Sequence, residues 1–297
     1  MKVLNYGSLN VDYVYSMDHI VMGGETQLSF QMEAFPGGKG LNQSIALAKA
    51  GAEVFHAGIV GIDGEMLLAI CKENKIDTTY IQSLPEKGGH TIIQVDKNGQ
   101  NCIILYGGTN QRQTRGRIDS VLKEFSEGDY LILQNEVNLL DYLIDQAFEK
   151  GMKIVLNPSP FNEKIKACDL RKVSLFMLNE IEGKQFTGEC DSDKILEELS
   201  RMYPEAEFVL TLGEDGAIYF NGHEKYRQEI FQTEVVDTTA AGDTYTGYYL
   251  ASIIEGRSVP EALKIAARAS SITVSRPGAA PSIPIREEVF ELHGNGC

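Results

Sequence analysis

Positive charge is scarce in this sequence. Its 297 residues hold 27 Lys and Arg against 42 Asp and Glu, a formal net charge of −15 at neutral pH. A surface this negative repels the phosphates of nucleic acids and of anionic lipids. We therefore expect neither a nucleic-acid partner nor a membrane partner. A pocket can still bind a small anion, because its field depends on the nearest dipoles and charges.

Cysteine and long apolar runs are scarce as well. The cysteines form an odd set without a Cys-x-x-Cys pair: Cys71, Cys102, Cys168, Cys190 and Cys297. This pattern argues against a disulfide framework and against a zinc knot, and we assign Cys297 no special role. No stretch approaches the roughly 20 apolar residues that cross a bilayer, and residues 1–7 lack a signal-peptide apolar block. We expect a soluble protein of the reducing cytoplasm.

The composition is that of a folded chain, with 43% hydrophobic and 23% charged residues, which excludes long disorder. The length suits one large α/β domain or two ordinary ones. Short apolar runs alternate with helical stretches, at residues 3–6, 54–59, 130–133, 154–156, 175–178 and 208–212. This alternation predicts an α/β fold with a mostly parallel central sheet flanked by helices.

Two regions show a different period. Residues 27–33 alternate between polar and apolar at period two, and so, less cleanly, do 90–96 and 101–106, with an Asn-Gly turn at 98–99. Strands with one wet face predict a small antiparallel β lid. We predict that the lid comprises 12–36 and 89–107, and that the α/β body comprises 1–11, 37–88 and 108–297.

A first glycine-rich turn precedes a predicted helix at residues 44–50. It reads Gly-Gly-Lys-Gly-Leu-Asn-Gln over 37–43. Glycines let a ligand approach the backbone, and Lys39 and Asn42 can face that ligand. The dinucleotide fingerprint fails at Gln43, and the P-loop fails because Gly40 follows Lys39. From these residues alone, an ordinary loop-to-helix turn remains an equal alternative.

A second turn, Asp-Thr-Thr-Ala-Ala-Gly-Asp over 237–243, runs into an apolar helical stretch at 248–255. A helix that begins near Ala241 leaves the N–H groups of residues 240–243 unpaired at its positive end, which would form an anion hole. Asp243 would lie inside this hole. A helix-capping role is the alternative, but a cap needs only one polar residue and no backbone clearance. The small residues beside the acid therefore favour a functional site.

Both turns resemble signatures of the ribokinase-like, pfkB-type carbohydrate kinases. Further blocks resemble the same family in the same order, at residues 7–12, 156–160, 179–182, 211–213 and 276–282. The resemblance covers nearly the whole chain. It implies ATP-dependent phosphorylation of a sugar primary hydroxyl, most simply conversion of D-ribose to D-ribose 5-phosphate.

The resemblance also implies roles for individual residues. Asp243 would be the catalytic base, and the N–H groups of Ala240, Ala241, Gly242 and Asp243 would hold the phosphoryl group. The sugar partners would be Asn10, Asp12, Gly38, Lys39, Asn42, Glu136 and Asp243. The nucleotide contacts would be Asn179, Thr211, Gly213 and Gly242. Glu182 would hold Mg²⁺ through water. A monovalent cation, K⁺, would be bound by Asp237, Thr239, Thr273, Arg276, Gly278 and Ser282.

The sequence departs from the family pattern at Leu41, at Thr246 and at 107–110, which leaves the sugar open. Fructose, another pentose or a nucleoside is an alternative substrate, and Tyr13, Tyr15 and Phe30 could form a slot for a base. A sugar sensor without turnover is a more remote alternative, which the presence of Asp243 disfavours. The open edges and apolar face of the lid predict a homodimer that pairs through the lid.

Overall fold

The computed structural model describes residues 1–290, so Cys297 and the last residues of the predicted body lie outside it. The strands are β1 Val3–Tyr6, β2 Asn10–Ser16, β3 Gln31–Gly37, β4 Val54–Val60, β5 Asp77–Ser83, β6 Gly89–Val95, β7 Asn101–Tyr106, β8 Tyr130–Gln134, β9 Lys153–Asn157, β10 Leu175–Asn179, β11 Glu207–Thr211, β12 Ala217–Phe220 and β13 Lys225–Gln228. The helices are α1 Lys39–Lys49, α2 Glu65–Glu73, α3 Arg115–Leu122, α4 Leu140–Glu149, α5 Glu163–Lys166, α6 Glu180–Thr187, α7 Ser192–Met202, α8 Ala241–Ile254, α9 Val259–Val274 and α10 Arg286–Phe290.

The central sheet has nine strands in the order β13-β12-β11-β10-β9-β8-β1-β4-β5. Every neighbouring pair from β11 to β5 is parallel, and β12 and β13 add an antiparallel edge. Val3 and Leu4 on β1 belong to different core clusters, one with α1, α8 and α9 and the other with α3, α4 and α7. Helices therefore cover both faces of the sheet, and the predicted α/β class is confirmed.

The strand order reverses beside β1. The chain builds β4 and β5 on one side of β1 and then returns to build β8 to β11 on the other side. In open parallel sheets, ligands bind at the carboxyl ends of the strands where the order reverses. Asn10 follows β1, Glu136 follows β8, and β10 and β11 end at Asn179 and Thr211. The topology therefore carries these polar side chains to one edge of the sheet.

The predicted second sheet is present, in the order β3-β2-β6-β7. Its two outer pairs are antiparallel, as predicted, while its central pair β2 and β6 is parallel. The Asn-Gly turn is also confirmed, since Gly99 has a φ of 78° and its N–H donates to Asp96 O over 3.0 Å. The division into body and lid at the stated residues remains a prediction.

Two predicted boundaries are wrong. The strand expected at 27–33 runs instead over Gln31–Gly37, because its pairing with β2 continues to the partners Asn10 and Gly37. The helix expected at 44–50 begins at Lys39. Gly38 turns the chain with a φ of 96°, and the N–H of Asn42 then donates to Gly38 O over 2.9 Å. Within residues 1–290, no helix combines the length and the apolar character that a membrane crossing needs.

Candidate active site

A cavity of about 410 Å³ lies between the carboxyl edge of the central sheet and the lid sheet. The lid contributes Thr91, Ile93, Ile103 and Leu105 to its walls. All of the residues predicted to bind the sugar line this cavity: Asn10, Asp12, Gly38, Lys39, Asn42, Glu136 and Asp243. Residues that lie far apart in the sequence thus surround one space that could hold a small polar molecule.

Asp243 lies in the first turn of α8 with only 7% of its surface exposed. Its Oδ2 accepts a hydrogen bond from Asn42 Nδ2 over 3.1 Å, and its Oδ1 accepts one from Gln43 Nε2 over 2.9 Å. Burial raises the pKa of Asp243, while Lys39 and the two amides oppose that rise. The result is a buried carboxylate with fixed orientation, which suits a proton acceptor.

The beginning of α8 presents free backbone N–H groups to the cavity. Residues 238–243 line the cavity, and Ala240 precedes the helix in a left-handed conformation with a φ of 61°. Among residues 1–290, the N–H groups of Ala240, Gly242 and Asp243 have no hydrogen-bond partner. The expectation for Ala241 needs correction, because its N–H donates to Thr238 O over 3.2 Å. Three free donors at a helix N-terminus are still an arrangement that can bind an anion.

The cavity holds one cationic side chain among several carboxylates. Burial disfavours the charged form of Lys39, but Asp243, Glu136 and further carboxylates keep the pKa of Lys39 above its usual value. Glu136 accepts hydrogen bonds from Ser8 Oγ and from the backbone N–H of Lys39, and burial raises its pKa. Burial likewise raises the pKa of Asp12 to about 6. These acceptors, with the Lys39 ammonium, match the mixed donors and acceptors of a polyol.

Two amide side chains, those of Asn10 and Asn42, also lie in the walls of the cavity. Asn42 lines the cavity, and its Oδ1 is buried and accepts no hydrogen bond from any residue in 1–290. A buried acceptor without a partner is costly unless a ligand or water supplies a donor. Asn10 Oδ1 accepts a hydrogen bond from Asn110 Nδ2 over 2.7 Å. Asn10 is therefore oriented by a residue of the turn that follows β7.

Sequence reasoning missed three supporting residues, namely Gln43, Thr91 and Asn110. Thr91 Oγ1 donates to Asp12 Oδ1 over 2.5 Å, so a lid strand orients this carboxylate. In the sequence, Gln43 stands out only because it breaks a dinucleotide motif. Its position after Asn42 in the first turn of α1 comes from the structure, because the sequence predicts a helix only from residue 44.

A second cavity of about 300 Å³ adjoins the first and shares residues with it. Its walls are mainly apolar and include Phe231, Val235 and Val274. Of the predicted nucleotide residues, Thr211 and Gly242 line both cavities, Gly213 lines only the second, and Asn179 lines only the first. An apolar cavity that opens beside a helix N-terminus with free N–H groups suits a nucleotide base.

Glu182 and Asn179 form a capping box at the start of α6. Asn179 Oδ1 accepts from the Glu182 N–H, and a Glu182 carboxylate oxygen accepts from the Asn179 N–H, each over 2.9 Å. Both residues also line the first cavity. Within the described chain, no three His, Cys, Asp or Glu residues cluster closely enough to hold a metal ion by themselves.

The residues predicted to bind K⁺ lie outside the lining of both cavities, except Thr239. Asp237 Oδ2 accepts from the Gly278 N–H over 2.9 Å, and its Oδ1 accepts from Thr239. The loop at 236–239 therefore packs against the loop that follows α9. The N–H of Arg276 donates to Thr273 O over 3.1 Å, while the hydrogen bonds of Ser282 stay local, to Ala279 O.

The sequence matches the model of the pfkB family carbohydrate kinases over residues 1–286. Ribokinase of Bacillus subtilis is 31% identical, with 96% of this chain and 97% of that protein aligned. Ribokinase of Haemophilus influenzae is 30% identical, with 96% of each chain aligned.

Solved structures give the same result. Ribokinase of Thermotoga maritima superposes with a TM-score of 0.87 at 31% identity, covering 99% of this chain and 100% of that one. Ribokinase of Arabidopsis thaliana, solved with ribose and ATP, superposes with a TM-score of 0.86 at 25% identity, covering 99% of each chain. This chain belongs to the pfkB family of carbohydrate kinases, which are phosphotransferases with an alcohol group as acceptor.

Proposed function

We propose that this enzyme transfers the γ-phosphoryl group of ATP to the 5-hydroxyl of D-ribose. Full-length ribokinase relatives at about 30% identity support ribose and ATP as the substrates. The observation that carries the proposal is the position of Asp243, a buried carboxylate beside free helix N–H groups in the cavity that also holds Lys39. This arrangement combines a proton acceptor, an anion site and a polyol site.

The sugar would lie under the lid in the larger cavity. Lys39 supplies a donor, Asp12 and Glu136 supply acceptors for hydroxyl groups, and Asn42 lines the same space. Ile93, Ile103 and Leu105 on the lid would cover the C–H groups of the sugar and exclude water. A site that pairs every hydroxyl discriminates strongly against analogues that lack one.

Catalysis would depend on the positions of the reacting groups rather than on a strongly basic Asp243. The 5-hydroxyl oxygen attacks the γ-phosphorus, the bond from that phosphorus to the bridging oxygen breaks, ADP leaves, and Asp243 takes the hydroxyl proton. The alcohol becomes acidic only as the new bond forms, so a carboxylate suffices. The N–H groups of Ala240, Gly242 and Asp243 stabilise the charge on the transferred group, because they are already oriented.

We also propose that Mg²⁺ accompanies ATP, held by Glu182 through water. The cavity walls carry Asp12, Glu136, Glu182 and Asp243 against Lys39 alone, so a polyanionic nucleotide needs additional positive charge. Mg²⁺ keeps several waters and binds through phosphates and one or two carboxylates, which fits a site without a preformed cage. When bound, the ion would neutralise charge on the phosphates.

A K⁺ site beside the anion hole is a further part of the proposal. Asp237 and Thr239 supply oxygens, and the backbone carbonyls of Thr273, Arg276 and Gly278 could complete the set, with Ser282 at its edge. The Arg276 guanidinium pairs with Glu288, so only its carbonyl is offered. Exchange of K⁺ for a large organic cation should lower the rate severalfold. Equal rates in the two salts would remove the site.

Two copies of this chain would pair through their lids. Ile104 and Tyr106 on β7 and Met32 on β3 are 57%, 55% and 52% exposed. β3 and β7 are also the open edges of the lid sheet. Such an apolar face with free edges is typical of an interface. Replacement of Ile104 by Glu should convert a dimer to a monomer in analytical ultracentrifugation, whereas a monomeric wild-type enzyme would contradict the pairing.

The nucleoside alternative finds no support in the aromatic residues proposed for it. In the described structure, Tyr13, Tyr15 and Phe30 are absent from the walls of both cavities, and Phe30 is 73% exposed. Tyr13 packs against His90 at 5.9 Å between ring centroids. Leu41, whose bulk suggested another sugar, is fully buried in the core. We place the enzyme in the cytoplasm as part of the proposal, since Cys71 and Cys102 are free thiols.

A panel of sugars and nucleosides with ATP and Mg²⁺ tests the function through ADP release. We expect the highest kcat/KM for D-ribose, and a product phosphorylated at the primary hydroxyl. Asp243→Asn should abolish turnover while ribose affinity, measured by calorimetry, stays within about tenfold, since the residue acts mainly in the transition state. A preference for fructose or a nucleoside would overturn the sugar assignment, and an active Asp243→Asn enzyme would overturn the base.

A further inference from the structure

Gln43 touches the proposed catalytic base but not the space for the substrate. Its Nε2 donates to Asp243 Oδ1 over 2.9 Å. Gln43 is fully buried and, in the described structure, lies outside the walls of both cavities. Asn42, which donates to Asp243 Oδ2, does line the larger cavity. The carboxylate therefore has a front oxygen on the substrate side and a rear oxygen that Gln43 holds.

The rear hydrogen bond continues into a buried chain of amides. Gln43 Oε1 accepts from Gln134 Nε2 over 2.6 Å, and the same Nε2 donates to Asn5 Oδ1 over 3.0 Å. Asn5 Nδ2 donates to the backbone oxygen of Gly40 over 2.7 Å. Asn5, Gln43 and Gln134 all have 0% exposure. We call these three residues the amide chain.

The direction of every amide in this chain is determined by one backbone carbonyl. The oxygen of Gly40 can only accept, so the NH₂ group of Asn5 must face it and Asn5 Oδ1 must face Gln134. Gln134 must then present its NH₂ group, which requires Gln43 to present its oxygen to Gln134. The NH₂ group of Gln43 is left facing Asp243, as a carboxylate requires.

We propose that Gln43 is a positioning residue for phosphoryl transfer, which holds the rear oxygen of Asp243 so that the front oxygen faces the acceptor hydroxyl. Gln134 and Asn5 fix the direction in which Gln43 donates. The inference rests on the proposed role of Asp243 as the base. A carboxylate that is free to rotate loses the alignment on which proton transfer depends, and a misplacement near 1 Å costs a rate factor on the order of 10².

The charged groups around Asp243 do not orient its rear oxygen, so this orientation comes from the amides. Lys39 on α1, Glu136 after β8 and Glu182 on α6 are the charged groups that face Asp243, and each lines the cavity. They act from the substrate side, whereas Gln43 acts from the buried side. Its hydrogen bond also lowers the pKa of Asp243 against the effect of burial. Loss of Gln43 should therefore disturb both the orientation and the ionisation of the base.

Two variants of Gln43 test the proposal, because they should change the pH dependence of kcat in opposite directions. Gln43→Met removes the donor, so kcat should fall on the order of 10² while KM for the sugar stays within about threefold. The acidic limb of its kcat–pH profile should move to higher pH, because Asp243 then ionises less readily. Gln43→Glu keeps the shape but sets two carboxylates against each other, so this variant should lose activity as pH rises and the shared proton leaves.

Gln113→Met is the matched control. Gln113 is another buried glutamine, with 4% of its surface exposed, and within residues 1–290 it lines neither of the two cavities described above. Its Oε1 accepts a hydrogen bond from Tyr6 OH over 2.8 Å. This variant should lose a similar amount of stability in urea unfolding without a change in either limb of the pH profile. Gln134→Met should show a weaker form of the Gln43→Met effect, because Gln43 Oε1 then loses its donor and the side chain is held less firmly.

All variants are assayed on the sugar that the wild-type enzyme phosphorylates best. The comparison therefore holds even if that sugar is not ribose. Calorimetric sugar binding verifies that each variant is folded. A Gln43→Met enzyme with kcat within threefold of wild type and an unmoved acidic limb would overturn the positioning role. The role would also be overturned if Gln113→Met reproduced both changes, or if the two Gln43 variants shifted the profile in the same direction.

Discussion

Replacement of Asp12 by Asn should stabilise the folded protein at neutral pH. Asp12 lies on β2 of the lid, and its Oδ1 accepts from Thr91 Oγ1 over 2.5 Å. An asparagine of the same shape keeps an oxygen for Thr91 and removes the charge. Burial raises the pKa of Asp12 to about 6, against the smaller opposing effects of Thr91 and Lys39, and Glu136 adds to the rise. The charge of Asp12 therefore destabilises the folded protein when no sugar is bound.

The direction and size of the effect follow from proton linkage. Native Asp12 binds its proton more tightly than the unfolded chain, so the wild-type protein loses stability as pH rises from about 4 to about 6. The difference between 3.8 and about 6, at about 1.4 kcal/mol for each pH unit, amounts to roughly 3 kcal/mol. This value is an upper limit, because water in the open cavity screens the charge.

Urea unfolding of both proteins at pH 4.5 and at pH 7.5 measures the effect. The advantage of Asp12→Asn over wild type should be greater at pH 7.5, while its KM for ribose rises at least tenfold. Asp63→Asn is a control of opposite sign. Burial opposes ionisation of Asp63, but Lys87 and the Gly88 N–H outweigh it and lower the pKa, so this variant should lose stability at neutral pH. An Asp12→Asn advantage that did not change with pH would refute the reasoning.

The other predictions concern the helix that carries Asp243 and the sugar contacts. Ala240→Gly relieves a left-handed conformation that costs a non-glycine residue about 1–2 kcal/mol. Glycine also gains about 0.5–1 kcal/mol of conformational entropy in the unfolded state, which opposes this gain, so the melting temperature should stay the same or rise slightly. Gly247→Ala would place a Cβ 2.4 Å from Ala46 Cβ, so it should separate α8 from α1, lower stability by about 1–3 kcal/mol in urea and reduce kcat. Lys39→Met and Asn42→Leu should each raise the sugar KM in steady-state assays, and unchanged constants in both would exclude the pocket assignment.

Much of the fold could be predicted because the buried strands of a parallel sheet are apolar on both faces. β1, β8 and β10 read as short apolar runs for this reason, and the structure places all of them inside the central sheet. The lid was harder to delimit. Four of the seven residues of β3 are exposed, so its sequence carries little burial signal and its bounds follow from pairing with β2.

The site could be predicted only in part, because two kinds of information enter it. The turn at 237–243 is local, and its small residues and acid indicate an anion site from the sequence alone. Asn10, Asp12 and Glu136 have no local feature that separates them from ordinary turn residues, and the family resemblance alone singled them out. The structure adds the physical reason for Asn10 and Glu136, since they follow β1 and β8, where the strand order reverses.

The amide chain could not be predicted from one sequence, because its hydrogen bonds join residues 91, 129 and 200 positions apart. Its chemistry nevertheless suits the task at Asp243. An arginine in place of Gln43 would hold the carboxylate firmly, but its charge would stabilise the ionised form so strongly that the base would accept a proton less readily. A neutral amide orients the carboxylate with a weaker effect on its basicity. The hydrogen bonds from Gln134 Nε2 to Gln43 and Asn5, and from Asn5 Nδ2 to the backbone oxygen of Gly40, then extend the constraint to the turn that also carries Lys39 and Asn42.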